Sequence, residues 1–119
     1  MLHLSSSCQY YLYTDSTDMR KGFDSLSGLV TTQLQMNALS GAMFVFFNKK
    51  RNQMKLLLWE GDGFSMYYKR LEKGTYELPA YRDNKSLSIN SQDLQLILQG
   101  ISLGSVRKRK RYQHAGENC

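Results

Sequence analysis

Three short apolar segments between residues 43 and 71 constrain this chain more than any other feature. Met43, Phe44, Val45, Phe46 and Phe47 form the first. Lys49, Lys50, Arg51 and Asn52 interrupt it before a second run over residues 54–59. Gly61, Asp62 and Gly63 interrupt again before a third, over residues 64–71. Aromatic and branched residues in short runs, separated by tight polar or glycine breaks, predict an antiparallel meander. Alternation then divides each strand into two faces. This reading puts Met54, Leu56 and Leu58 with Phe64, Met66 and Tyr68 on an apolar face, and Lys55, Trp59, Tyr67 and Lys69 on the other.

The flanking segments extend the reading. Residues 9–14 are Tyr-rich and predict a strand, with Tyr10 and Leu12 facing one way and Tyr11 and Tyr13 the other. From residue 18 to about residue 36 the period changes. Met19, Phe23, Leu26, Val30 and Leu34 fall on one stripe of a long helix, capped at Thr17 or Asp18 and ending at a left-handed Asn37. That helix is expected to cover the apolar face of the sheet. Tyr76, Glu77 and Leu78 predict a short fifth strand, residues 81–90 a polar loop, and residues 92–99 a second helix capped by Ser91 and stopped at Gly100. The expected architecture is α+β: an antiparallel sheet of about five strands, one long helix on one face, and a shorter C-terminal helix. A globular domain over residues 1–104 and a basic tail over 105–119 divide the chain.

Charge separates these two regions. The 119 residues carry 16 basic and 10 acidic groups, a formal charge of +6. Arg107, Lys108, Arg109, Lys110 and Arg111 stand in the tail with Glu117 as its one acid, so the tail holds most of the excess. Such asymmetry points to polyanion contact, most often nucleic acid. Two further sets of residues fit that partner. Trp59 and Tyr67 beside Lys55 and Lys69 would make a stacking and phosphate-binding platform on the sheet. Lys49, Lys50 and Arg51 at a hairpin tip would reach backbone phosphates. A half-buried Trp59 and ordinary solvated lysines are the alternative for both.

Several classes fit poorly. Cys8, Cys119, His3 and His114 are terminal and show no metal-ligand spacing. Gly61-Asp62-Gly63 lacks the length and following helix of a phosphate loop, and reads as a turn. Asp18, Glu60 and Asp62 show no spacing that would gather them around paired metals, so no catalytic residue, metal or cofactor is expected. Neither a signal peptide nor a membrane span is evident in the pattern, and a cytoplasmic protein without a small-molecule substrate is expected.

Three stretches together resemble a known family. Residues 17–26 run TDMRKGFDSL; residues 44–48 and 54–59 run FVFFN and MKLLLW; residues 60–64 and 68–74 run EGDGF and YKRLEKG. Their order and spacing over about residues 10–103 resemble the accessory proteins, often called TnpB, encoded by the second reading frame of IS-sixty-six-type bacterial insertion sequences. The matching positions are Asp18, Met19, Arg20, Lys21, Gly22, Phe23, Trp59, Gly61, Asp62, Gly63, Phe64, Tyr68, Lys69 and Arg70. Glu60 stands where family members usually have Asp, and Tyr76-Glu77 replaces a more basic or aromatic pair. The resemblance implies a non-catalytic role in DNA transposition beside a separate transposase. DNA, that transposase or both are the expected partners, and Arg20, Lys21 and Arg70 join the candidate nucleic-acid contacts. A pure protein adaptor and a small metal-dependent nuclease are the competing readings.

Overall fold

A computed structural model describes residues 3–80 and 84–100. The order of elements is β1 (Tyr10–Tyr13), α1 (Phe23–Thr32), β2 (Met43–Phe47), β3 (Gln53–Trp59), β4 (Phe64–Arg70), β5 (Ser86–Ile89) and α2 (Ser91–Leu98). The strands form one five-stranded sheet in the order β4-β3-β2-β1-β5. The meander β2-β3-β4 is antiparallel, but β1 pairs with β2 in parallel, so the sheet is mixed rather than antiparallel throughout. The reason is the α1 connection: a chain that leaves β1, crosses the sheet as a helix and returns beside it arrives parallel.

Both faces of the central strands are covered. Leu26 and Val30 of α1 pack with Leu34, Ala38, Tyr13, Phe44, Phe46 and Leu57 on one side. Leu94 and Ile97 of α2 pack with Tyr10, Leu12, Val45, Phe47, Met54, Leu56 and Tyr76 on the other. A strand buried on two faces reads as an unbroken apolar run, which is what Met43–Phe47 is. The expected single covered face is therefore two.

The first helix is shorter than the apolar stripe. It begins at Phe23 with Gly22 in the N-cap position and no side-chain cap. Asp18 instead makes a turn before it: its Oδ1 accepts the Arg20 N–H at 2.9 Å, and its carbonyl accepts the Lys21 N–H at 3.1 Å. Phe23, expected in the core, is 46% exposed. At the other end the Thr31 and Thr32 hydroxyls donate back to the Ser27 and Gly28 carbonyls. The Leu34 N–H reaches the Leu29 carbonyl, and Gln35, not Asn37, takes the left-handed conformation with φ 54°. That widened exit tips Leu34 and Ala38 into the core without further helix.

Two other expectations change. Residues 76–78 are not a strand; Tyr76 is buried, with its ring 5.3 Å from that of Phe47 and its N–H on the Arg51 carbonyl. The fifth strand is Ser86–Ile89, antiparallel to β1. Asn90, not Ser91, caps α2: its side chain accepts the Asp93 N–H at 2.7 Å. Gly100 follows α2 with φ 86°. The basic tail, Arg107 to Arg111, lies outside the described residues.

Candidate nucleic-acid interface

The β3–β4 turn decides which candidate residues meet. Glu60 N–H donates to the Gly63 carbonyl at 2.9 Å, and Gly61 has φ 94°, a conformation that glycine adopts freely. This turn sets Trp59 opposite Phe64, Lys55 opposite Tyr68 and Leu56 opposite Tyr67. Each even-numbered residue of β3 therefore faces an odd-numbered residue of β4. Lys55 and Trp59 project on the α1 side, and Tyr67 and Lys69 on the α2 side. The expected platform of these four residues does not exist; the alternation within each strand is right, but its relative phase across the turn is reversed. Trp59 packs edge-on against Phe64, with centroids 5.0 Å apart, and Tyr67 packs on the α2-side core.

Lys55 is not a surface cation either. It is 8% exposed. Its Nζ donates to the Lys21 carbonyl at 2.9 Å and lies 4.9 Å from the Tyr68 ring centroid. A buried ammonium is tolerated when it is hydrogen-bonded and faces a π-surface. Lys55 thus ties the segment before α1 to the sheet.

The remaining cations gather at one end of the sheet. The Thr17 N–H donates to the Phe47 carbonyl at 2.8 Å, which carries Asp18, Arg20 and Lys21 over the end of β2. The β2–β3 hairpin lies at this same end. Asn48 shapes it: its Oδ1 accepts the Asn52 and Gln53 N–H groups, each at 3.0 Å, and its Nδ2 donates to Asn52 Oδ1 at 2.7 Å. Arg51 completes the turn with φ 58°. Lys49 and Lys50 project from the tip into solvent. Lys69 and Arg70 arrive alongside, opposite Met54 and Gln53. The cations wrap around the end rather than sharing a face: Arg20, Lys21 and Arg70 on the α1 side, Lys69 on the α2 side, and the hairpin tip between them.

Acids at this end are largely occupied. Asp18 pairs with Arg20 at 2.6 Å, Glu72 with Arg70 at 3.5 Å, and Asp15 with Lys85 at 3.5 Å. The Asp18 carboxyl is lowered to about 2, chiefly because the Arg20 side chain and then its backbone N–H donate to it. Among the described residues, no ion pair engages Lys21, Lys49, Lys50, Arg51 or Lys69. The sequence pointed to Glu60 and Asp62 only as candidate metal ligands, not as a second charge group. Glu60 and Asp62 stand exposed at the β3–β4 turn, the opposite end. Successive loops of a meander fall at opposite ends, so a basic loop followed by an acidic one was a readable sign of this polarity. Among the described residues, no group of three His, Cys, Asp or Glu is placed to hold a metal ion, and no helix is long and apolar enough to cross a membrane.

The chain is similar to known proteins over most of its length. The uncharacterized protein y4hO of Sinorhizobium fredii (strain NBRC 101917 / NGR234) is 32% identical over 101 residues, 85% of this chain and 87% of the relative. The uncharacterized protein y4jC of the same strain is 26% identical over 109 residues, 92% of each chain. No solved structure matches. The family profile described as "IS66 Orf2 like protein" matches residues 8–108, spanning every described element, and the chain belongs to this insertion-sequence-associated family.

Proposed function

We propose that this protein is a non-catalytic accessory factor in transposition that binds DNA through the basic end of its sheet and acts beside the transposase. One observation carries the reading: Lys21, Lys49, Lys50, Arg51 and Lys69 are delivered to one end by three different segments, while Asp18, Glu72 and Asp15 there are paired with other cations, Arg20, Arg70 and Lys85. Cations without internal partners are free to replace counterions on a phosphate backbone. Such contacts position a protein on DNA without reading its sequence. The basic tail adds to this term as a second, independent source.

The test is DNA affinity of the full chain across a salt series. Each phosphate neutralised adds about 0.9 to the slope of log K against log salt. Replacing Lys49, Lys50 and Lys69 by Ala lowers that slope by up to about 3, and truncation after Ser105 by up to about 4, with little change between specific and random duplexes. DNA incubated with the protein and Mg²⁺ or Mn²⁺ stays intact. Absence of any salt-sensitive complex, with the transposase still co-purifying, makes the protein an adaptor. Cleavage abolished by Asp62→Ala makes it a nuclease.

A further inference from the structure

The sheet has two edges, and they differ. β5 is four residues long. β4 is seven residues long, pairs with β3 without a bulge, and contains no proline. Long, regular, proline-free edges template further pairing and are normally blunted. In β4 the charges that would blunt it, Lys69 and Arg70, sit only at its last two positions. Among the described residues, nothing pairs with its outer side.

The hydrogen-bond phase identifies which groups are unused. The Glu60–Gly63 and Asn52–Leu71 bonds bracket the β3–β4 ladder. Antiparallel ladders alternate bonded and non-bonded pairs, so Ser65, Tyr67 and Lys69 bond to β3. Phe64, Met66, Tyr68 and Arg70 therefore direct their N–H and C=O groups outward. Their side chains share the α1 side, where Phe64 and Met66 are half-buried and Tyr68 is 52% exposed.

We propose that β4 is a homodimerisation edge, pairing antiparallel with β4 of a second copy about a twofold axis through Tyr67. This register uses all four outward-facing residues: Phe64 pairs with Arg70 of the second copy, and Met66 with Tyr68, each twice by symmetry. It buries the half-exposed apolar strip against itself and sends the two Lys69-Arg70 ends in opposite directions. Charge also favours a second copy as the occupant. The exposed Glu60 and Asp62 turn of each copy comes alongside the basic end of the other. The product is a continuous ten-stranded sheet with both α1 helices on one side. The inference does not depend on DNA binding.

Tyr67 is the diagnostic position. It faces its own counterpart as a non-hydrogen-bonded pair, where Cα atoms lie about 4.5 Å apart, within disulfide range. In a full-length chain with Cys8→Ser and Cys119→Ser, Tyr67→Cys forms a covalent dimer on mild oxidation. Ser65→Cys does not, because its counterpart lies about 14 Å away along the strand. Sedimentation of the unsubstituted chain gives twice the 13.8 kDa monomer mass as concentration rises. Tyr68→Glu keeps an attraction for Lys55 but sets the two introduced carboxylates diagonally across the twofold axis, and weakens the dimer by about tenfold or more. A chain that stays monomeric at every concentration overturns the proposal. So does a dimer that Tyr67→Cys does not cross-link and Tyr68→Glu does not weaken.

Discussion

The Lys55 ammonium and the Lys21 carbonyl, 34 residues apart in sequence, are joined by a 2.9 Å hydrogen bond that fixes the segment before α1 to the third strand. Lys55→Met keeps the aliphatic stem and removes the donor, leaving the carbonyl without this partner. A stability loss of about 1 to 3 kcal/mol is expected in urea unfolding. Lys49→Ala, at the exposed hairpin tip, is expected to stay within about 0.5 kcal/mol of the parent chain. Equal losses in the two variants would refute the structural role of Lys55.

Asp18 and Arg20 make a pH-dependent turn. The carboxyl is lowered from 3.8 to about 2 by hydrogen bonds from Arg20. A lowered carboxylate contributes stability that is complete above its unfolded value and is lost as pH falls through the folded one. The turn is therefore intact at neutral pH and lost only in strong acid, between about pH 4 and 2. Carbon-detected NMR titration of the Asp18 carboxyl should show a midpoint near 2, moving upward in Arg20→Ala. An unmoved midpoint would mean that the guanidinium does not hold the carboxylate.

Leu26 and Phe23 lie on the same apolar stripe yet differ in burial. Leu26 is fully enclosed between α1 and the sheet, while Phe23 is nearly half exposed at the first turn. Leu26→Ala is expected to cost about 3 to 5 kcal/mol. Phe23→Ala, which leaves little cavity, is expected to cost about 1 kcal/mol or less. Denaturant midpoints of the two variants compare them directly; a larger loss at Phe23 would place it in the core after all.

Local pattern carried β1 to β4 and failed on the fifth strand and where a contact is long-range. The alternation in residues 9–14 sorted Tyr10 and Leu12 from Tyr11 and Tyr13 correctly, and they do enter opposite cores. It carried no information that β1 lies parallel to β2, because a strand's partner is not written in the strand. β5 escaped notice because Ser86-Leu87-Ser88-Ile89 offers only two apolar residues, too few to stand out from a polar loop. The helix stripe was real for Leu26, Val30 and Leu34, but periodicity does not register a left-handed exit such as Gln35. The candidate platform failed on one quantity, the phase across a four-residue connection, which the turn sets and neither strand does. The hairpin cations were legible as a group. Their gathering with Arg20, Lys21 and Lys69 needed the tertiary path.

The placement of β1 has a kinetic consequence. Tyr10 pairs with Met43 on one side and Ile89 on the other, whereas the meander pairs residues close in sequence. Short loops close quickly and distant ones slowly, and the distant pairings govern the rate of the whole. A chain emerging from the ribosome can assemble β2, β3 and β4 while β1 still has one edge unpaired. That edge remains open until Ser86–Ile89 appears some seventy residues later, about 4 to 15 seconds at ordinary synthesis rates. A strand made early thus waits for a strand made late.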